Sequence, residues 1–497
     1  MRRRSRLEAN RARVRSSRRR CLLYAVVALF SLAVPAALTF YDGQPPSPAP
    51  ATITEVERKD KDEDNAAVDL GASTISPRVW KGIGDGIPEV PVSPDDVHVV
   101  FSTDCSPYQN YQAIMLFHSA EMVEQRGPVT RVASGCTEEE EAELQVLMDK
   151  QPERFRVHFT PDYSLDPETG ERFMFYNKPN GMAHFLKNAD PPVQEAVVAL
   201  VDPDMIFMSP LTPYVGDPTK MLWHNPEHED GPDWVMEGAP VGQYYGLGGS
   251  WTTWQDLPEI IEGLGDGSPA GKVIQTDAAA DYPVGPPYLM HPRDWAKVLD
   301  LWVALSPKVY KGHPGILAEM YGFCIAAAHL QLRHRVAYGL MVSDSHMSER
   351  EGWPLVDVLG TGSCDSSAVD HQRDRLPPVV HYCQMYRVGT YMWGKRHQSH
   401  HNFFACESDS LQLPPANYLR GPMGMTRVHP NSGPSGAEEV EASVGIRQGY
   451  AMCAVLRAMN AALVSYKERY CRPEEVGGGV RRFTDLSKAQ LEADGYA

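Results

Sequence analysis

The chain of 497 residues lacks several signals that would assign it to a common functional class. None of its nine cysteines stands at a spacing typical of zinc ligands, no Asn-x-Ser/Thr sequon occurs, and no internal repeat is visible. Positive charge is concentrated in residues 1–20, which hold ten arginines and one glutamate, whereas the whole chain carries a net charge of −17. The remaining body is strongly acidic and repels nucleic acid, so the sequence argues against DNA or RNA binding.

Charged residues are also absent from residues 21–40, CLLYAVVALFSLAVPAALTF, which follow the basic tail 1–20. Twenty helical residues span about 30 Å, the thickness of a bilayer core. The alternative is a cleaved signal peptide with a small-residue site near Ala36, but the apolar run and the basic segment are both long for that. The sequence therefore predicts a transmembrane anchor, and the positive-inside rule places residues 41–497 in the lumen.

The lumenal part divides by composition. Residues 41–90 are rich in Pro, Ala, Asp and Lys and predict a disordered stem, residues 91–475 predict the folded domain, and residues 476–497 predict a tail. Cysteine number fits an oxidising compartment, because the eight cysteines after Cys21 form an even set that we expect to form disulfides. They are Cys105, Cys136, Cys324, Cys364, Cys383, Cys406, Cys453 and Cys471.

Local patterns in the domain predict an α/β fold. VHVVFSTDC at 97–105 predicts a buried strand, residues 110–125 have helical spacing of apolar residues, and GPVTRVAS returns to a β-like pattern. Thr137 with four following glutamates predicts a helix start, because a Thr cap and first-turn anions stabilise an N-terminus. Further helices are predicted at 181–189, 292–306, 315–332 and 450–470, and Gly/Pro-rich residues 212–280 predict loops around a cleft.

Two carboxylates, Asp202 and Asp204, directly follow the apolar run AVVALV at 196–201. In an extended backbone, residues i and i+2 share a face, so we expect a small negative site at a strand end. Two oxygen ligands suit Mg²⁺ or Mn²⁺, which are commonly held by carboxylates together with substrate phosphates. The alternatives are a solvated pair of loop aspartates and a site for metal-dependent phosphoryl hydrolysis.

Seven segments resemble a known family, the plant and green-algal peptidyl serine α-galactosyltransferases and their relatives, the hydroxyproline O-arabinosyltransferases. The resemblance runs from about residue 98 to residue 471, and STDC, GPVTR, NKPNG and DPDM favour the galactosyltransferase branch. The segments are VVFSTDCSPYQNYQAIMLFHS, GPVTRVASGCT, DPETGERFMFYNKPNGMAHFL, VDPDMIF, VGPPYLMHPRDWAKVLDLW, LAEMYGFCIAAAHLQLRH and VVHY.

The resemblance implies a GT-A-like, Rossmann-type nucleotide-sugar-binding domain. In such a domain Asp202 and Asp204 would hold Mn²⁺ (or Mg²⁺) with a UDP-sugar, and His381 would be a third metal ligand. Glu319 would orient or deprotonate the acceptor hydroxyl, or stabilise the donor sugar. The alternatives are a histidine of the core for His381 and a helix N-terminal charge for Glu319.

Three further residues are implied in binding the UDP-sugar. Asn177 and Lys178 would contact its diphosphate or sugar, although a plain turn closed by Pro179 and Gly181 is equally open. Asp104 follows the first strand, where a base or ribose lies in Rossmann-like sheets. Another histidine-rich segment, with His397, His400 and His401, resembles a metal-binding tract, but we expect it to be an exposed loop.

The sequence thus leads us to expect a single-pass type II membrane glycosyltransferase of the Golgi or ER. Galactose would move from a UDP donor, with retention of configuration, to a hydroxyl of a Ser/Hyp-rich glycoprotein. Two alternatives stay open. One is the transfer of arabinofuranose from UDP-arabinofuranose to hydroxyproline, and the other is a non-catalytic lumenal scaffold or lectin-like module of the same fold.

Overall fold

The computed structural model describes residues 80–165, 170, 172–264, 267–359, 375–388, 391–396, 400–414, 426–428, 437–439 and 442–481. The basic tail 1–20, the anchor 21–40, most of the stem, His397 and residues 482–497 lie outside these ranges. No helix within these ranges is long and apolar enough to cross a membrane. The transmembrane anchor therefore stays a prediction.

A seven-stranded sheet forms the centre of the domain. Its spatial order is β3-β2-β1-β4-β7-β6-β8; the first four strands run parallel, and β7 runs antiparallel to both of its neighbours. The strands are β1 (Val97–Thr103), β2 (Val129–Ser134), β3 (Phe155–Thr160), β4 (Val197–Val201), β5 (Met205–Phe207, outside this sheet), β6 (Val241–Tyr244), β7 (Val284–Met290) and β8 (Arg335–Ala337).

Helices cover both faces of this sheet, as is usual for an α/β fold. Those in the described part of the chain are α1 (Pro107–Met122), α2 (Glu138–Met148), α3 (Asn177–Asn188), α4 (Pro218–Met221), α5 (Leu257–Ile260), α6 (Gln275–Asp281), α7 (Pro292–Gly312), α8 (Ala318–His329), α9 (Trp353–Asp357) and α10 (Ala442–Tyr470). The predicted α/β class is confirmed.

Two predicted helix starts are confirmed for the expected reasons. At α2 the Thr137 hydroxyl accepts from Glu140 N (3.2 Å), and the Glu140 carboxylate accepts from Thr137 N (2.8 Å), which is a capping box. Helix α7 begins at Pro292, where the missing N–H costs nothing. Helix α3 begins at Asn177, four residues earlier than predicted, so the alternative of a plain turn at 177–181 is wrong.

The central strand β4 shows that both faces of the sheet are buried. Val198 and Leu200 pack into the cluster that includes α3, α7 and α8, while Val197, Ala199 and Val201 pack into the cluster on the α1 side. All five side chains are buried. Since side chains alternate between the faces of a strand, a continuous apolar run is required where both faces are covered.

A smaller sheet joins the edge of the domain to the C-terminal helix α10. Its order is β5-β10-β9, where β9 is Met341–Val342 and β10 is Val379–His381. Short two-stranded ladders follow: β11 (Tyr386–Val388) with β12 (Tyr391–Trp393), β13 (Ser410–Leu411) with β16 (Val480–Arg481), and β14 (Thr426–Val428) with β15 (Ala437–Glu439).

The cysteines and the stem boundary differ from the sequence-based expectation. Disulfides join Cys105 to Cys136 and Cys406 to Cys471, and Cys453 is also disulfide-bonded. Two described cysteines, Cys324 and Cys383, are free, so the eight do not all pair. Cys324 lies in the buried face of α8, where its thiol donates to Tyr282 O (2.9 Å).

Part of the predicted stem packs on the domain. Ile83 forms an isolated bridge with Val193, and Ile87 is buried. Residues 80–90 therefore belong with the folded part. The sequence did not indicate this, because residues 41–90 are mostly polar on average and these two apolar side chains do not stand out.

Candidate functional site

The Asp202–Asp204 motif lies where the winding of the sheet changes direction. One crossover leaves β1 toward β2 and a later one leads to β4 on the other side of β1, so a crevice opens at the carboxyl ends of β1 and β4. Asp202 directly follows β4. Met205 N donates to Asp202 O (3.2 Å), so the motif is a turn and not the extended backbone assumed from the sequence.

His381 reaches this turn through the smaller sheet. Strand β10 runs antiparallel to β5 with His381 opposite Met205, which directly follows the motif. One ligand atom each of Asp202, Asp204 and His381 lie within 4.8 Å of one another. Among the described residues this is the one such cluster of three His, Cys, Asp or Glu side chains. The family resemblance implied this set of three residues. Their separation along the chain gives no sign that the three side chains lie close together.

Tyr245 holds the imidazole of His381 from the other side. Its hydroxyl lies 3.0 Å from His381 Nδ1, while His381 Nε2 lies 3.2 Å from Asp204 Oδ1. Tyr245 directly follows β6 and is partly buried, whereas His381 is buried. A residue that fixes the far nitrogen of a histidine orients the near one toward a ligand.

Two lysines contact the carboxylates of the motif. Lys178 Nζ lies 2.9 Å from Asp202 Oδ1 and 2.8 Å from Glu319 Oε1. Lys395 Nζ contacts Asp204 Oδ2. The side chains of the pair Lys178 and Glu319 are 12% and 1% exposed, so this is a buried contact and not a surface ion pair. In the structure, lysines therefore compensate both anions.

The electrostatics follow from burial opposed by these pairs. Burial alone would lower the pKa of Lys178, but the carboxylates of Asp202 and Glu319 outweigh it and raise the pKa above its ordinary value. Burial raises the pKa of Glu319, and Lys178 only partly offsets that effect. Burial also disfavours ionised Asp204, but His381 and Lys395 outweigh it and hold the Asp204 pKa well below its ordinary value.

Glu319 is held in the first turn of α8. The indole Nε1 of Trp302, on α7, donates to the Glu319 backbone oxygen (2.6 Å) and thereby fixes the start of α8. Within the described part of the chain, Glu319 Oε2 has no hydrogen-bond partner although the side chain is 1% exposed. A buried carboxylate oxygen without a partner is costly, and it can accept a hydrogen bond from a ligand.

Asn177 and Asp104 are occupied by their own loops. Asn177 Oδ1 accepts from Tyr163 N (2.7 Å), so this side chain secures the segment before α3. Asp104 Oδ1 accepts from Ser106 N (2.9 Å) and Ser106 Oγ (2.6 Å) at the start of α1. Both residues stand at the carboxyl-terminal edge of the sheet, but their side chains hydrogen-bond to nearby loop residues and not to the motif. Of the three predicted donor-binding residues, the structure joins only Lys178 to the motif.

The three clustered side chains fit a divalent cation. Carboxylate oxygens and an imidazole nitrogen are ligands that Mn²⁺ accepts, and two carboxylates also suit Mg²⁺. Burial opposes a protonated His381, but Cys383 and Asp204 raise its pKa well above the ordinary value. A cation would have to replace that proton, because an imidazole binds metal only in its neutral form.

Sequence reasoning missed Lys395 and Tyr245. Lys395 follows β12 in a WGKR segment that has no recognised spacing to the aspartates, and Tyr245 stands in the Gly-rich part assigned to loops. The expectation of an exposed loop was wrong for His400, which is fully buried and stacks on Trp393 at 5.6 Å between ring centroids. Tyr245 stands next to the glycine-rich segment GLGG, whereas no local pattern marks Lys395.

Two curated proteins match the chain in sequence. A peptidyl serine alpha-galactosyltransferase from Arabidopsis thaliana is 26% identical over 295 residues, which cover 57% of this chain and 33% of that protein. A protein of the same name from Chlamydomonas reinhardtii is 24% identical over 409 residues, which cover 76% of this chain and 47% of that protein. The aligned part is less than half of either relative. These matches confirm the family-level resemblance, while no family model matches the chain.

Solved structures overlap the chain only loosely. A galactosyltransferase LgtC in complex with donor and acceptor sugar analogues has a TM-score of 0.32 at 12% identity, covering 58% of this chain and 87% of its own. The apo structure of the bifunctional glycosyltransferase WbbM has a TM-score of 0.31 at 13% identity, covering 59% of this chain and 47% of its own. Overlaps of this degree carry no argument about function.

Proposed function

We propose that the chain is a GT-A-like glycosyltransferase that transfers galactose from UDP-galactose to a hydroxyl of a Ser/Hyp-rich glycoprotein. The observation that carries the proposal is the convergence of Asp202, Asp204 and His381 within 4.8 Å at the sheet crevice. Sheets of this winding bind nucleotides in that crevice. The names of the two matching relatives support galactose as the donor sugar.

Asp202, Asp204 and His381 would hold the divalent cation, Mn²⁺ or Mg²⁺. When bound, this ion would supply positive charge that neutralises the leaving diphosphate. Tyr245 keeps the imidazole of His381 in the orientation that this requires, through its contact of 3.0 Å with Nδ1.

Glu319 is assigned to the donor sugar. In a transfer with retention, the leaving diphosphate can itself take the proton of the acceptor hydroxyl, so no carboxylate base is required. Glu319 Oε2 is buried and has no partner among the described residues, and Oε1 is held by Lys178 at 2.8 Å. Its role is to accept a hydrogen bond from a sugar hydroxyl and to hold the sugar in place.

The predicted anchor and stem belong to the same proposal. A single-pass type II membrane protein of the Golgi or ER would present this domain to secreted proteins in the lumen. The disulfides Cys105–Cys136 and Cys406–Cys471 support an oxidising compartment.

The test is transfer by the purified full-length chain. UDP-galactose and UDP-arabinofuranose are each offered with Mn²⁺ and Ser/Hyp-rich peptides, and the product mass is read. A hexose added from UDP-galactose supports the proposal. A pentose added instead would reassign the donor, and no product with either donor, together with no binding of UDP, would favour the non-catalytic alternative. Glu319→Gln should lower turnover but leave Mn²⁺ binding intact.

A further inference from the structure

Both oxygens of Asp204 already contact side-chain nitrogen atoms of the chain itself. His381 Nε2 lies 3.2 Å from Oδ1, and Lys395 Nζ contacts Oδ2. The Asp204 side chain is only 7% exposed, so water cannot replace these partners freely. Asp204 thus differs from Asp202, whose cationic partner within the described part of the chain, Lys178, is shared with Glu319.

Lys395 is placed there by a fixed backbone. Its carbonyl oxygen accepts a hydrogen bond from the hydroxyl of Tyr111, a buried residue of α1. Two residues earlier, Trp393 is fully buried and stacks on Tyr386, with 6.4 Å between ring centroids. The contact of Lys395 with Asp204 therefore comes from an anchored segment, although the four-carbon side chain itself can move.

We propose that Lys395 is an internal counter-cation that competes with the divalent cation for Asp204. An ammonium at Oδ2 repels a second cation brought to the same carboxylate, and burial keeps that repulsion poorly screened. Cation binding therefore requires the Lys395 ammonium to leave Oδ2. Lys178 differs because it also contacts Glu319 at 2.8 Å, so it keeps a buried partner when it moves away from Asp202.

This inference rests on the proposed cation site and deepens it. Its consequence is that the cation is bound less tightly than its ligands allow, because part of the negative charge of the site is already compensated by Lys395. Lys395 is a positioning residue in this scheme: it holds the Asp204 carboxylate in place and sets the affinity of the site.

The experiment is a titration of the full-length chain with Mn²⁺ alone, without nucleotide, read from the signal of free Mn²⁺ in electron paramagnetic resonance. Lys395→Met should bind Mn²⁺ about tenfold or more tightly than the wild type, because it removes the repelling charge and keeps the side-chain length. Lys395→Arg keeps the charge and should bind like the wild type. Lys297→Met, which removes a lysine that is 53% exposed, is the matched control and should also bind like the wild type.

Binding by Lys395→Met that equals or falls below that of the wild type would overturn the inference and leave the proposed function standing. No Mn²⁺ binding by either protein would overturn both. A second measurement avoids any folding defect of the variants: acylation of lysines in the wild type, followed by mass spectrometry. Lys395 should become more reactive when Mn²⁺ saturates the site, and unchanged reactivity at saturation would contradict the displacement.

Discussion

Replacement of Lys178 by methionine tests the buried charge network most directly. The substitution keeps the length and apolar stem of the side chain but leaves Asp202 and Glu319 without the ammonium that both contact within 2.9 Å. Removing one partner of a buried ion pair typically costs about 3–5 kcal/mol. The expected loss of unfolding free energy at pH 7 therefore falls in that range unless one carboxylate takes up a proton.

Glu319 sets the ceiling on this loss. Its side chain is 1% exposed, and burial already raises its pKa above the ordinary 4.5. Protonating such a group at pH 7 costs at most about 3.4 kcal/mol, at 1.36 kcal/mol for each pH unit above 4.5. In Lys178→Met, the loss of unfolding free energy that comes from protonating Glu319 should then be about 3 kcal/mol at pH 7 and less than about 1 kcal/mol at pH 5.

The assay is urea unfolding of the full-length chain in chelator at pH 7 and pH 5. Lys297→Met is the matched control, because its ion pairs with Glu237 and Asp294 are made by a side chain that is 53% exposed. That control should lose about 1 kcal/mol or less at both pH values. The reasoning is refuted if Lys178→Met loses no more than Lys297→Met at pH 7, or if its loss is equal at the two pH values.

Two further predictions concern Glu351 and Tyr245. Burial raises the pKa of Glu351 from 4.5 to about 7, so the folded state holds its proton more tightly than the unfolded state. The stability that this group contributes is fully present below pH 4.5 and is lost as the pH rises through 7, by up to about 3 kcal/mol. Glu351→Gln should remove this decrease of unfolding free energy with pH, as measured by urea unfolding. An unchanged pH dependence in Glu351→Gln would contradict the prediction. Tyr245→Phe removes the hydroxyl at His381 Nδ1 and should weaken Mn²⁺ binding by about 10–100-fold. The control Tyr288→Phe loses only a long contact to Val284 O (3.4 Å) and should bind Mn²⁺ like the wild type. Equal Mn²⁺ affinities of Tyr245→Phe and the wild type would exclude an orienting role for Tyr245.

Local chemistry made much of the fold predictable from the sequence. The Thr137 cap, Pro292 at the start of α7 and the unbroken apolar run of β4 each act over a few residues, so their patterns can be read directly. The strand β6 was missed because its sequence, VGQY, is only four residues long and lies in a Gly-rich segment. Its pairing with β7 and β8 stabilises it, and that contact is invisible locally.

The site was predictable in its ligands and not in its charge balance. Asp202 and Asp204 are separated by a single residue, and family resemblance supplied His381. The partners that compensate them, Lys178 and Lys395, stand 24 and 191 residues away from the carboxylates they contact. Only the packing of α3 and of the segment after β12 against the crevice brings these lysines to the aspartates, and no local pattern encodes that.

The central claim is that Asp202, Asp204 and His381 bind a divalent cation together with a UDP-sugar. Calorimetric titration of the full-length chain with UDP, with and without Mn²⁺, tests it most directly when the wild type is compared with Asp204→Asn and with the control Asp281→Asn. Asp281 is 13% exposed and forms ion pairs with Arg333 and His228. None of these contacts involves Asp202, Asp204 or His381. The account predicts Mn²⁺-dependent binding of UDP by the wild type and by Asp281→Asn, and its loss in folded Asp204→Asn. Equal binding of UDP by Asp204→Asn, or binding by the wild type that does not depend on Mn²⁺, would contradict it.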